Sequence, residues 1–181
     1  MQLSSDRYTI AIMTCAIIAI VVRKGGISAM IINTKRFGPI EIDPNQVITF
    51  IGPILGFGEL QKYVFIQSDD DQGSFEFLQS IEDENLTFIV ADPFAFFKEY
   101  EFELGSHWID ALDVQGEEDL QVLMIVTVRS AEDITCNLRA PIVLNRVKKL
   151  ASQIVLDQGN YATKQPLLGG KKGEDSDADL I

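Results

Sequence analysis

The alternation of apolar and polar residues along the chain is typical of β-strands. Residues 99–104 alternate glutamate with Tyr, Phe or Leu, which predicts a strand with one buried and one acidic face. Residues 120–128 are apolar at nearly every position, as in a central strand covered on both faces. Further short strands are predicted between turn-forming residues, at 31–34, 40–42, 47–51, 63–66, 75–79, 87–91, 134–138 and 141–145.

This pattern also predicts the fold class. Short strands with turns about 8–12 residues apart predict a mostly β protein, a small antiparallel β-barrel-like single domain with few short helical turns. One such turn is expected at 94–98, where Asp92 can cap the start and Pro93 suits the first helical position. Residues 147–156 fit a helix or a bulged strand, and the unbroken alternation over 151–156 favours a strand.

Three regions of different composition divide the chain. Residues 8–22 are an apolar run followed by Arg23 and Lys24, shorter than the roughly 17–25 residues of a spanning helix. We expect residues 1–29 to be an apolar extension that is disordered or upstream of a native start at Met30, with a short signal-anchor as the alternative. Residues 30–168 are expected to form the β domain. Residues 169–181 lack aromatic side chains and are expected to be a disordered acidic tail.

The charge is negative and unevenly distributed. The composition is globular, 46% hydrophobic and 23% charged, with a formal net charge of −12. Eighteen acidic and two basic residues lie between Asp69 and Asp133, whereas seven basic and one acidic residue lie between Ile134 and Lys172. This charge disfavours direct binding to nucleic acid or an anionic membrane and favours a basic protein partner. The acidic block is equally consistent with a solvated surface that keeps the protein soluble.

Catalytic motifs are weak. His107 is the only histidine, and no G-x-S-x-G sequence accompanies it. The glycine-containing stretch 52–58 matches no phosphate-binding loop, so we interpret it as a tight turn with Phe57 packed inward. A hydrolase that uses a carboxylate pair in the acidic block 69–133 remains the alternative function, although no pair stands out among so many acids.

Metal and disulfide sites are not predicted either. The two cysteines, Cys15 and Cys136, have no paired spacing and fit a reducing compartment such as the cytoplasm. The acidic runs 69–71 and 117–119 lack the spacing of an EF-hand loop. No cofactor or metal is therefore expected, and the residues by themselves favour a binding role for this protein.

The chain from Met30 to Leu168 resembles the flagellar assembly factor FliW family. Short motifs typical of that family occur in the expected order, at residues 34–40, at 48–52 leading to Gly56 and Phe57, at 77–83, at 88–93, and at 137–142 followed by 153–156 and Tyr161. One departure is the turn 52–56, which has one residue more than the family's usual G-L-P-G sequence. Residues 1–29 have no counterpart in the family.

The resemblance implies a non-catalytic cytoplasmic protein with two competing partners. One is CsrA, a basic dimeric RNA-binding protein that represses translation of flagellin mRNA, and the other is flagellin itself. Flagellin that has not been exported would occupy the protein and leave CsrA free to repress. For these contacts we select six candidate residues, namely Phe57, Gln79, Glu82, Asp83, Glu84 and Asn137.

Overall fold

The computed structural model describes residues 9–12, 18–23, 26–67, 74–157 and 160–167, with side chains from Ala29 onward. Residues 69–71, the tail 169–181 and most of the first 29 residues lie outside this description, so the expectations for them stay predictions. Thirteen strands are present in the described part: β1 Thr9–Ile12, β2 Ile18–Arg23, β3 Gly26–Thr34, β4 Gly38–Ile42, β5 Ile48–Phe50, β6 Lys62–Gln67, β7 Glu76–Ser80, β8 Thr87–Ala91, β9 Leu120–Val128, β10 Ile134–Cys136, β11 Ile142–Asn145, β12 Leu150–Gln153 and β13 Gln165–Pro166.

Seven of these strands close into a barrel. They pair in the order β11-β12-β5-β6-β7-β8-β9, and a further pairing of β9 with β11 joins the two ends. All pairings are antiparallel except that of β12 with β5. The predicted fold class, a mostly β, small antiparallel barrel-like domain, is therefore confirmed.

The hairpin formed by β3 and β4 packs against one part of this barrel. Strands β1 to β4 form a separate antiparallel sheet in chain order. Its last two strands attach to the barrel because Ile32 and Ile42 pack with Val64 of β6 and Ile81 of the β7–β8 turn. Burial of these aliphatic side chains fixes the β3–β4 turn next to the β7–β8 turn.

The interior of the barrel is filled from all sides. Phe50, Tyr63, Leu78, Val90 and Leu123 belong to one buried cluster, contributed by five of the seven strands. The rings of Phe50 and Tyr63 meet edge to face, with centroids 5.0 Å apart. Alternate residues of a strand, such as Phe88 and Val90 of β8, therefore face into this core.

A second core lies outside the barrel, under two short helices. These are α1, Pro93–Phe96, and α2, Ser106–Ala111. Asp92 caps α1 as predicted, because its side chain accepts a hydrogen bond of 2.8 Å from the N–H of Phe94. Leu112, which follows α2, is fully buried in this second cluster. The helix α2 itself was not predicted, because six residues are too few for a clear helical period.

Two strand predictions have different outcomes. Residues 147–156 do contain a strand, β12, so the strand interpretation is correct. Residues 99–104 are not a strand, and that prediction is wrong. Their alternation does match burial, since Tyr100 is buried and Phe102 and Leu104 are half-buried. These side chains pack on the second core, but no described strand pairs with this segment.

Candidate functional site

Most of the six candidate residues lie around one end of the barrel. At this end of the barrel β5 ends and β6 begins, and the turn from β7 to β8 lies beside them. Three loops meet there, namely the β5–β6 loop at 51–61, the β7–β8 turn at 81–86 and the turn at 137–141 before β11. We call this region the barrel-end site.

The β7–β8 turn is fixed by its own polar side chains. Ser80 accepts hydrogen bonds of 3.1 Å at its Oγ atom from the N–H groups of Glu82 and Asp83. Asp83 in turn accepts one of 2.9 Å from the N–H of Asn85. The carbonyl of Glu84 accepts a hydrogen bond of 2.9 Å from the N–H of Lys35 in the β3–β4 turn. The turn therefore presents the exposed Glu84 carboxylate from a rigid backbone.

Gln79 supports this turn from inside. Its side chain is fully buried, and Nε2 donates to the carbonyls of Ser80 and Asp83 at 2.9 and 3.2 Å. Its Oε1 atom accepts a hydrogen bond from the hydroxyl of Thr87. Gln79 was selected as a candidate partner contact, but in this structure it presents no free polar atom and instead shapes the turn.

Glu82 ties the turn to the neighbouring loop. One carboxylate oxygen, Oε2, accepts hydrogen bonds of 2.7 Å from the N–H groups of both Gln61 and Lys62, where β6 begins. The pKa of the Tyr63 hydroxyl is raised to about 12, chiefly by burial and further by the negative charges of Glu82 and Asp83. The negative charges of this turn therefore lie close enough to the barrel end to affect the Tyr63 hydroxyl.

The β5–β6 loop provides the apolar part of the site. Phe57 is 41% exposed, and its ring lies edge to face against Phe88 with centroids 4.7 Å apart. Ile51 and Leu55 are 42% and 60% exposed. The expectation that Phe57 packs inward is corrected here, because Ile54 is the residue of this loop that fills the core, at 1% exposure. Three large apolar side chains therefore remain accessible on one loop.

Asn137 is a turn residue that is linked to this loop. Its Oδ1 atom accepts hydrogen bonds from the N–H groups of Arg139 and Ala140 at 3.1 and 3.0 Å. Gln153, at the end of β12, then donates to the carbonyl of Ala140 and accepts from the N–H of Leu55. Gln153 was not predicted as a site residue, because hydrogen bonds across such sequence distances leave no local pattern.

The carboxylates of this site are not neutralised by ion pairs. Among the described side chains two ion pairs occur, Arg129 with Asp133 and Lys148 with Asp113. Neither includes Glu82 or Glu84. The barrel-end site therefore combines accessible apolar side chains with unpaired negative charge, an arrangement suited to a protein partner with a basic and partly apolar surface.

Two further features concern membrane spans and metal sites. Over the part of the chain that the structure describes, no helix has the length and apolarity needed to cross a membrane. In the same residues, no three His, Cys, Asp or Glu side chains are grouped so that they could bind a metal ion.

Comparison with known proteins identifies the family. The family model described as FliW protein matches residues 31–167. The flagellar assembly factor FliW of Bacillus licheniformis is 43% identical over 141 residues, which cover 77% of this chain and 98% of that protein. The FliW protein of Alkaliphilus metalliredigens is 39% identical over 140 residues, covering 77% of this chain and 86% of that protein.

A solved structure agrees with these sequence matches. A crystal structure of the flagellar assembly factor FliW superimposes with a TM-score of 0.71 at 37% identity, covering 78% of this chain and 99% of that chain. The barrel and its loops are thus those of a known fold with related sequence. The chain therefore belongs to the FliW family, whose members compared above are named flagellar assembly factors.

Proposed function

We propose that this protein acts in flagellum assembly as a regulatory binding protein and catalyses no reaction. In the cytoplasm it binds CsrA, the basic translational repressor of flagellin mRNA, and thereby relieves repression. Flagellin that awaits export competes for the protein and releases CsrA. Synthesis of flagellin is in this way matched to its export.

The observation that carries this proposal is the composition of the barrel-end site. The carboxylates of Glu82 and Glu84 make no ion pair with a described cation, and they lie beside a loop that exposes Ile51, Leu55 and Phe57. Negative charge attracts the basic surface of CsrA and speeds its association. Exposed apolar side chains provide the area that a helical client such as flagellin can bury.

The rigidity of the site supports the same proposal. Glu82 joins the β7–β8 turn to the β5–β6 loop, and Gln153 joins that loop to the turn at 137–141. Gln79 holds the β7–β8 turn from inside. A surface that is already ordered loses little conformational entropy when a partner binds. Exchange between two partners then requires no folding step in this protein.

Co-purification tests the proposal directly. The tagged full chain should retain CsrA from cells that lack flagellin, and should retain less CsrA when purified flagellin is added. The affinity for CsrA should also fall as salt concentration rises, because salt screens charged surfaces. An affinity that is the same at low and high salt would contradict the electrostatic part of the proposal.

The alternative function gives a different result in the same preparation. A hydrolase that uses two carboxylates of the block 69–133 would show turnover that is lost when one of two neighbouring acids is changed. Such turnover, in a protein that captures neither CsrA nor flagellin, would replace the proposed function.

A further inference from the structure

A groove lies beside the segment 101–104, outside the residues that form the barrel-end site. Its volume is about 830 Å³, and it is lined by residues 101–108, residues 154–157 and Tyr161. None of the six candidate residues lines it. A groove of this size accommodates several residues of an extended peptide.

One wall of this groove is a strand-like segment with unused backbone groups. Glu101 and Glu103 are exposed while Phe102 and Leu104 are half-buried, which is the alternation of a strand. The N–H and C=O of Glu101 are both bonded to the hydroxyl of Tyr161, at 3.1 and 2.8 Å. Within the described part of the chain, residues 102–104 form no backbone hydrogen bond. Such a segment is a template for an added strand.

The side chains of the groove select for positive charge. Glu101, Glu103 and Asp157 line it, whereas no lysine or arginine does among the described lining residues. Trp108 and Tyr161 add two aromatic rings. Carboxylates with nearby aromatic faces favour lysine and arginine side chains through charge and cation–π attraction.

We propose that this groove binds an extended segment of a protein partner that has lysine or arginine at alternate positions, and that the segment pairs with residues 102–104 as an added strand. Alternate positions are required because Glu101 and Glu103 are two residues apart and lie on the same face of the segment. An extended rather than helical occupant is required because only an extended backbone can pair with residues 102–104. This surface shares no residue with the three loops of the barrel-end site, although Ile154 and Leu156 of the groove bond to the turn at 137–141. The inference does not depend on the proposed function.

A fluorescence titration tests the groove, since Trp108 is the only tryptophan of the chain and lines it. The probe is a short acetylated and amidated peptide of alternating lysine and valine, with a glutamate–valine peptide for comparison. The lysine peptide should change the Trp108 emission in a saturable manner, and the glutamate peptide should not. No saturable change with the lysine peptide would overturn the proposal.

Variants of the full chain test the charge. E101Q and E103Q should each weaken binding of the lysine peptide by about 1.4- to 5-fold, the usual range for one exposed charge pair. E132Q is the matched control, because Glu132 is also exposed but lies outside the groove, and it should bind like the unchanged protein. Equal affinity of the unchanged protein and the E101Q/E103Q double variant would contradict the proposal.

A modified peptide tests the strand pairing. Methylation of alternate backbone nitrogens on one edge of the lysine peptide removes hydrogen-bond donors but keeps every charge. If the peptide pairs with residues 102–104, methylation of the pairing edge should abolish saturable binding, whereas methylation of the other edge should not. Equal binding of both methylated peptides would overturn the added-strand geometry. The variant F57A, in the barrel-end site, should bind the lysine peptide normally, which separates this result from the test with CsrA.

Discussion

The N–H of Leu55 donates a hydrogen bond of 2.9 Å to Oε1 of Gln153, a residue 98 positions later in the chain. The other end of the same amide donates from Nε2 to the carbonyl of Ala140 at 3.1 Å. One side chain thus joins the loop that exposes Leu55 to the turn that contains Asn137. Two loops of the barrel-end site are thereby kept at a fixed separation.

Replacing this amide should loosen both loops. Gln153→Ala removes two hydrogen bonds, each contributing about 0.5–1.5 kcal/mol, so the free energy of unfolding should fall by about 1–3 kcal/mol. Urea denaturation measures this loss, and amide hydrogen exchange at Leu55 should become faster. Gln121→Ala in β9 is the control, because Gln121 is also half-buried and none of the described hydrogen bonds involves its side chain. Equal losses in the two variants would contradict the bridging role.

The buried amide of Gln79 should matter more for stability than for direct contact. Gln79→Leu keeps the volume but leaves the carbonyls of Ser80 and Asp83 and the hydroxyl of Thr87 without their partner. An unsatisfied buried polar group costs about 1–3 kcal/mol. Urea denaturation should therefore show that the free energy of unfolding falls by at least about 1 kcal/mol. A double-mutant cycle with Thr87→Val should give a coupling energy of about 0.5–3 kcal/mol. Additive effects would show that this hydrogen bond is not important.

Most strands were predictable because their apolar residues lie between turn-forming residues. Burial itself alternates along β5 but not along β11, where all four residues are buried because a core covers each face of the strand. The strand prediction failed at 99–104, because the alternation of Tyr100 and Phe102 with glutamates reflects packing on a core and not pairing in a sheet. Apolar periodicity reports which side of a segment is buried. It does not report whether the backbone has a hydrogen-bonding neighbour.

The site was predictable only in part. The acidic turn and the loop with Phe57 could be selected from the sequence, but the loop's buried residue, Ile54, could not be distinguished from its exposed neighbours, since a loop has no period. The roles of Gln79 and Gln153 also depend on contacts with residues on other segments. Such contacts are set by the closed barrel and by no local sequence pattern.

A substitution at Glu84 should change the affinity for CsrA without changing the stability of the fold. Its carboxylate is exposed and makes none of the described hydrogen bonds or ion pairs, whereas the carboxylate of Glu82 bonds to the backbone of Gln61 and Lys62. Glu84→Gln should therefore weaken CsrA binding by about 1.4- to 5-fold with no change in stability. Isothermal titration calorimetry and urea denaturation measure the two quantities.

Two further variants serve as comparisons for Glu84→Gln. Glu99→Gln removes an exposed charge away from the barrel-end site and should leave CsrA affinity unchanged. Glu82→Gln should lower both affinity and stability, because a neutral amide is a weaker acceptor for the two N–H groups. If Glu84→Gln and Glu99→Gln bind CsrA equally well, the acidic turn is not part of the CsrA surface.

The carboxyl of Glu76 in β7 makes stability depend on pH. Burial raises its pKa above the ordinary value, so the folded state binds this proton more tightly than the unfolded chain does. The resulting stability is fully present below the unfolded pKa of about 4.3 and is lost as pH rises through the folded pKa. Glu76→Gln should thus increase the free energy of unfolding at neutral pH, with a gain that shrinks toward about pH 4. Urea denaturation across this range measures the gain, and a gain independent of pH would show that ionisation of Glu76 is not its cause.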